Sequence, residues 1–344
     1  MFVLKVMHHG FREHVLYGTV SVLGYLDGDF QHQRAATIEG ITSHGSLESG
    51  VSNSHFTGSL GKGDREFVAV SVASVYHGAK DPGKIIPIEG IEMTKTTVRK
   101  VVYIPDVHAP YHSPQAVETA TKIVNWFKPD IITILGDFLD YDPLSRHIEG
   151  SIVHKASVSM KAEFDAGNAL FDGFTKHCQS VVYLEGNHEN RYVAYLDKHP
   201  EVRGLVEVDK GMHFVERRKA GYTIKHLAYN ECHRIGDLYA THGTYTSVNH
   251  AAKHVQSYGR NLVYGHIHDL QAATHISPID VSKKHMATCL GCLCDRNPSY
   301  MRNAPNKWVH CIGLAYFRQD GSFNLYPVII SDGIASFAGK VFAS

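Results

Sequence analysis

No leader-like opening, no membrane-length apolar run and no net charge mark this chain of 344 residues. Met1-Phe-Val-Leu-Lys-Val6 turns polar too soon for the apolar core of a signal peptide. No stretch approaches the roughly 20 apolar residues that span a bilayer. Lys plus Arg and Asp plus Glu stand at 34 each, so the chain has no global attraction to nucleic acid or an anionic membrane, a local basic face aside. Six cysteines are too few for a disulfide-stapled secreted domain. These absences lead us to expect a soluble, intracellular (cytoplasmic) protein with reduced thiols and no membrane partner. Internal repeats and low-complexity tracts are missing as well. The one excess is histidine, with 25 copies, and histidine is the commonest metal-ligating side chain.

The length exceeds one average domain, which suggests two units. Residues 1–97 are β-rich around 2–6, 15–25 and 67–76, with Gly, Ser, Thr and Asn crowded into 39–64. Gly58-Ser-Leu-Gly-Lys-Gly63 is not a phosphate loop, because that loop needs four residues between its Gly and Gly-Lys. Residues 81–87 suit a turn and linker. We therefore expect a β-rich N-terminal domain at 1–97 and a second domain at 98–344.

From Lys100 the pattern alternates. Strands are expected at 101–105, 131–135, 181–185, 237–241 and 262–264, and later at 308–318 and 323–330. Ser113-Pro114 is an N-cap followed by proline at the first helical position. The helix after it aligns Ala116, Ala120, Ile123, Val124 and Phe127. A longer helix at 155–177 sets Met160, Phe164, Gly167, Phe171 and Phe174 on one stripe. Shorter helices are expected at 190–198 and 247–258.

Polar clusters follow five of these apolar segments: Asp106-Val-His108, Gly136-Asp137-Phe-Leu-Asp140, Gly186-Asn187-His188-Glu189, His242-Gly243 and Gly265-His266-Ile-His268. Each alone is weak, since Asp-x-His and His-Gly recur by chance. Together, at successive strand ends where open α/β sheets keep their sites, they are a strong joint signal. So many ionisable groups would be costly to bury without a cation. Oxygen and imidazole donors in this mixture suit borderline to hard divalent ions such as Mn²⁺, Fe²⁺, Zn²⁺ or Ni²⁺.

In that order and number, the clusters in residues 100–270 resemble the calcineurin-like metallophosphoesterase superfamily. The resemblance implies a four-layer αββα sandwich and a binuclear, metal-dependent phosphoesterase, manganese being the first choice of metal. Residue by residue, it implies that Asp106, His108, Asp137 and His268 hold one ion. Asp137, Asn187, His242 and His266 would hold the other. A hydroxide bridging the two ions would attack phosphorus in line, with His188 assisting the leaving oxygen and Asp140 orienting His188.

Departures bear on the substrate. Protein Ser/Thr phosphatases of that superfamily carry Arg-Gly directly after the second Asp of Gly-Asp-x-x-Asp, where this chain has Tyr141-Asp142. The ending Gly265-His-Ile-His268 is closer to the phosphodiesterase and nuclease branch. A phosphodiester in nucleic acid or a nucleotide is therefore the leading substrate. A serine/threonine protein phosphatase or small-molecule phosphomonoesterase is the alternative, favoured by Gly186-Asn-His-Glu189. Arg146 or Arg191 is a candidate to replace the missing cation. A scaffold with a relict site is disfavoured, because no ligand position has been replaced. Residues 1–97 are a candidate for substrate recruitment or homo-oligomer formation.

Other features have blander readings. His112 reads as a rim residue, and His147 and His154 as exposed loop histidines. Cys289, Cys292, Cys294 and Cys311 read as small core residues in preference to a zinc site. Glu216-Arg-Arg-Lys219 reads as a solvated turn, and Tyr300, Trp308, Tyr316 and Phe317 as packing, with Tyr300 and Trp308 candidates for a cleft wall.

Overall fold

The structure is a computed structural model that describes residues 98–146, 159–298 and 304–344 in full, and the backbone of five strands within 1–97. The expectations for 39–64, 81–87, His147, His154 and Tyr300 lie outside the described residues. The chain divides into two compact units, Met1–Thr96 and Thr97–Ser344. In the first, β1 (Phe2–Val6) pairs antiparallel with β5 (Ile91–Lys95). There β2 (Gly18–Gly24) sits between β3 (Arg34–Ile38) and β4 (Val68–Val72), antiparallel to both.

The second unit is built on two sheets. In the six-stranded sheet, β6 (Arg99–Ile104), β7 (Ile131–Ile134), β8 (Ser180–Leu184) and β9 (Thr223–Leu227) run parallel. Antiparallel β15 (Cys311–Phe317) joins β6, and β16 (Phe323–Ile329) joins β15. The five-stranded sheet has the order β10 (His233–Ile235), β11 (Leu238–Ala240), β12 (Asn261–Tyr264), β14 (Lys284–Leu290), β13 (Leu270–Ile276). A closing hairpin, β17 (Ile334–Phe337) and β18 (Lys340–Ala343), packs near α1 (Pro114–Phe127).

Burial explains the layering. Successive side chains of a strand point to opposite faces, and in the six-stranded sheet both faces are apolar. Val102, Ile104, Ile132, Ile134, Val181 and Tyr183 join the core under α1 and α2 (Met160–Thr175). Their alternates Val101, Tyr103, Val182 and Leu184 meet Leu238, Ala240, Val263 and Leu290 of the other sheet. On that sheet's far face, Leu262, Tyr264, Ala287 and Cys289 pack with Val255 of α6 (His250–Tyr258). Helix, sheet, sheet and helix thus form the expected αββα sandwich.

The sequence signals work locally as the chemistry requires. Ser113 Oγ accepts from Ala116 N, with Pro114 at the first helical position and Lys128 in the left-handed conformation closing α1. Ser159 caps α2 in the same way, accepting from Ala162 N. The helix described is shorter than the 155–177 expected. Residues 247–249 are likewise turn, so α6 begins at His250. Glu216–Lys219 is helix and not turn, with Glu216, Arg218 and Lys219 exposed as expected. It lies in α5 (Phe214–Lys219), which follows α3 (Arg191–Leu196) and the single turn α4 (Val208–Gly211). Arg217 bonds to Asp172, Asn168 and Met212 O, so distant acceptors hold its guanidinium, while exposed Arg218 bonds to nearby Ile224 O.

Candidate metal centre

Parallel register brings the strand ends level. Ile104 aligns with Ile134, and Ile134 with Tyr183, so the chain leaves β6, β7 and β8 at one height with Asp106, Asp137 and Asn187. Ala240 aligns with Val263, which brings His242 and His266 to the matching end of the second sheet. These turns are tight. Asp106, His108, Asp137, His266 and His268 all adopt positive φ between 35° and 73°, which L-residues adopt at a cost of about 1–3 kcal/mol each and which concentrates at functional sites. Glycine is obligatory at two of them. A Cβ at Gly186 would overlap Asp137 Oδ1, and one at Gly265 would overlap Asp106 Oδ2.

The side chains converge on Asp137. His242 Nε2 lies 3.3 Å, His108 Nε2 3.7 Å and His188 Nε2 3.9 Å from Asp137 Oδ2. Donor atoms of Asp137, His242 and His266 lie within 4.8 Å of one another, as do those of His108, Asp137 and His188. Asn187 Oδ1 is 2.9 Å from His242 Nε2. His268 Nε2 stands 3.4 Å from Asp106 Oδ1 and 3.2 Å from His108 Nε2. All seven residues expected as ligands are therefore gathered at one place. Asp140 does more than expected. Its Oδ1 is 2.9 Å from His188 Nδ1 and also 2.8 Å from His108 Nδ1.

The donor set fits a cation. His242 Nδ1 lies 2.9 Å from the carbonyl of Leu135, which can only accept, so Nδ1 carries the proton. Its Nε2 lone pair then faces the Asn187 and Asp137 oxygens, two further acceptors. At His108, Nδ1 donates to Asp140, and the Nε2 lone pair faces His268 Nε2 and Asp137. Only a second proton or a cation satisfies such facing lone pairs. The electrostatics agree. Burial would lower His242, yet Asp137 lifts it to about 9. Burial likewise opposes His268, and its hydrogen bond to Asp106 raises it to about 9. Burial works to raise Asp137, but His242 and His188 hold it well below the usual carboxylate range. A field that loads imidazoles with protons also attracts metal ions, which bind the neutral ring in the proton's place.

Glu189, the last residue of its cluster, was given no role by its sequence. Fully buried, it accepts from the backbone N–H groups of Asp137, Phe138, Leu139 and Gly186 at 2.8–3.0 Å, and from Tyr183 OH. One carboxylate thus clamps the Gly136–Asp140 turn to the Gly186 turn. Burial first, then Asp137, pushes it up to about 7. Arg191, not exposed Arg146, reaches the cluster: Nη1 donates to Asp140 O at 2.9 Å, and Nη2 lies 3.3 Å from His188 Nε2. Tyr141 is fully buried, its OH bonded to Val206 O. Cys294 Sγ approaches His268 Nδ1 at 3.7 Å, and Trp308 meets the His268 ring edge-on at 4.3 Å between centroids. His112 is half-buried, its backbone bridged to Cys294.

No family model and no curated protein matches the chain. Solved structures do. Vps29 from Cryptosporidium parvum is 12% identical, covering 72% of this chain and 99% of that one, with a TM-score of 0.39. A single mutant of Vps29 from Entamoeba histolytica is 14% identical over 69% and 96%, with a TM-score of 0.38. YfcE, a phosphoesterase from E. coli, is 15% identical over 67% and 100%, with a TM-score of 0.32. Among the described residues no helix is long and apolar enough to cross a membrane. The paired sheets, their outer helices and the level strand ends give Thr97–Ser344 the four-layer αββα architecture that the sequence resemblance implies.

Proposed function

We propose that residues 98–344 are a binuclear metal-dependent phosphodiesterase acting on nucleic acid or a nucleotide. Asp106, His108, Asp137 and His268 would hold one ion, and Asp137, Asn187, His242 and His266 the other, with manganese first and iron, zinc or nickel suited to the same donors. The observation that carries this reading is the Asp137 carboxylate, on which three imidazole nitrogens converge at 3.3–3.9 Å. When bound, such a pair of ions supplies charge neutralisation at the phosphoryl group and acidifies water there.

The chain's own groups divide the remaining work. Asp140 accepts hydrogen bonds from Nδ1 of His108 and of His188, which fixes both tautomers and turns both Nε2 atoms toward Asp137. Burial would lower His188, but Asp137 and Asp140 outweigh it and raise it above its ordinary value, with Arg191 pulling the other way. With a side chain 20% exposed, His188 can hold a proton at Nε2 and pass it to a leaving oxygen.

Diester preference rests on Tyr141. Its ring is buried where the protein phosphatases place an arginine, so no cation grips a dianion there. One observation favours the monoesterase reading instead: the Arg191 guanidinium beside His188 Nε2. Turnover of bis-p-nitrophenyl phosphate against p-nitrophenyl phosphate in Mn²⁺ separates them, and strong monoester preference would sink the diester reading. For nucleic acid, salt-dependent binding to single- and double-stranded DNA is the check. Residues 1–97 are proposed to recruit substrate or form a dimer; removing them and measuring solution mass and substrate range tells which. Six free cysteines fit the reducing interior of a cell.

A further inference from the structure

A second cluster lies behind the metal centre, where α6 packs on the outer face of the five-stranded sheet. His250 opens α6 and is 1% exposed, and Cys289, near the end of β14, is fully buried. Asp269 follows His268 in the loop after β12. Donor atoms of His250, Asp269 and Cys289 all lie within 4.8 Å of one another.

Two of these atoms are orphans. His250 Nε2 stands 2.9 Å from Asp269 Oδ1, yet the angles make no hydrogen bond, and each atom is buried with no other hydrogen-bond partner. The other ring nitrogen is occupied, with His250 Nδ1 2.7 Å from Tyr264 OH. A simple ion pair would align its N–H with the carboxylate, because an unsatisfied buried charge is expensive. A cation between the atoms explains the misaligned close approach, because metal ligands point their lone pairs at one point and not at each other.

We propose that His250, Asp269 and Cys289 form a structural site for a thiophilic divalent ion, Zn²⁺ by chemical class, distinct from the catalytic pair. The nitrogen, oxygen and sulfur donors suit that ion. One carboxylate and one thiolate neutralise its two positive charges, which lets the group stay buried. Three protein donors leave the fourth tetrahedral position to water, and Asp269, 16% exposed at its side chain, lies on the solvent side. Without the ion Cys289 stays a thiol, since burial pushes it well above its ordinary value, and its Sγ donates weakly to Gly265 O at 3.2 Å. On binding, the S–H bond breaks, its proton leaves to solvent and a sulfur–metal bond forms. The ion would staple the start of α6, β14 and the loop Gly265–Asp269 together. That loop carries His266 and His268, so the site would set the position of two catalytic-centre ligands from behind.

The test uses the full chain. Protein equilibrated with Zn²⁺ is dialysed and its metal content measured. Wild type is expected to retain one more ion per chain than Cys289→Ser or Asp269→Asn. Loaded with Co²⁺, wild type is expected to show thiolate-to-cobalt charge transfer that Cys289→Ser abolishes and Cys294→Ser keeps. Cys294 is the decisive control, because its sulfur lies beside His268 of the catalytic centre. Equal metal content in wild type and Cys289→Ser overturns the proposal. So does a charge-transfer band absent from wild type, or one that follows Cys294 and not Cys289. Since the wild-type spectrum is itself a reading, a variant that fails to fold does not shield the proposal. A band that follows Cys289 in protein lacking phosphoesterase activity would uphold this site while refuting the catalytic one.

Discussion

The six-stranded sheet supplies every carboxylate and amide of the centre, together with His108 and His188, whereas the five-stranded sheet supplies imidazoles alone, His242, His266 and His268. The loops are held by opposite chemistry. On the first sheet, carboxylates accept backbone N–H groups: Glu189 takes four of them, and Glu163 takes Tyr141 N and Asp142 N at 2.7 and 3.0 Å. On the second sheet the acceptor is neutral imidazole. His254 Nε2 takes Thr244 N at 3.0 Å and Tyr245 N at 3.4 Å, while its Nδ1 donates to His250 O. The oxygen-bearing loops expose many N–H groups inward, and a carboxylate can satisfy several at once. A single imidazole serves a loop with fewer to satisfy. The halves of the site should therefore respond differently to mutation and to pH.

The largest effect is expected where the halves meet. Asp137→Asn keeps the shape and removes the charge both sheets face, so phosphoesterase activity should fall by at least about 10³-fold, roughly 4 kcal/mol in the barrier. Metal titration by calorimetry should show the loss of affinity directly. If activity in metal-loaded protein survives, Asp137 does not join the halves.

Next is the clamp on the first sheet. Glu189→Ala orphans four buried N–H groups, and urea unfolding is expected to show a loss of about 3 kcal/mol or more. His254→Ala frees fewer groups and should cost about 1–3 kcal/mol. Equal losses would dissolve the contrast between the clamps.

The pH responses should oppose each other. Burial lowers His254 from 6.5 to about 4. The stability it contributes is complete above pH 6.5 and is lost as pH falls through about 4, by roughly 2–3 kcal/mol. Glu163 runs the other way. Burial and the charge of Asp140 raise it from 4.5 to about 8, so its contribution is complete below pH 4.5 and disappears as pH rises through about 8. Urea midpoints followed across pH should lose their acid slope in His254→Ala and their alkaline slope in Glu163→Gln. A wild-type curve flat on both sides would contradict both assignments.

The smallest effect concerns the ring of His268. Cys294→Ser shortens the group facing Nδ1, and metal affinity is expected to weaken by about tenfold, at the low end for partners of metal-bound histidines. An unchanged affinity would leave Trp308 packing as the orienting contact.

Much of the centre is legible in sequence because its chemistry is local. Asp106-Val-His108 and Gly136-Asp137 each sit beside the strand that delivers them, and the neighbouring glycines mark turns where a Cβ has no room. The helix N-caps Ser113 and Ser159 act just as locally, although only Ser113 carries a following proline to mark it, and the apolar pattern points to an earlier start for α2. What stayed hidden depends on partners far along the chain. Arg217 looks solvated until Asp172 and Asn168, 45 and 49 residues away, are brought to it. Short strands such as β10 carry too few residues for a period to show.

By itself the sequence determined the alternation of strands and helices, the residues at the strand ends and thus the kind of chemistry open to them, because backbone preference and side-chain period act over a few residues. Only the tertiary structure decided that Asp140 serves two histidines, that Glu189 binds the turns together, and that Cys289 lies with His250 and Asp269 and not with its neighbouring cysteines. Those relations are set by strand register and by burial, which convert distant positions into neighbours and turn an ordinary polar group into one that must find a partner.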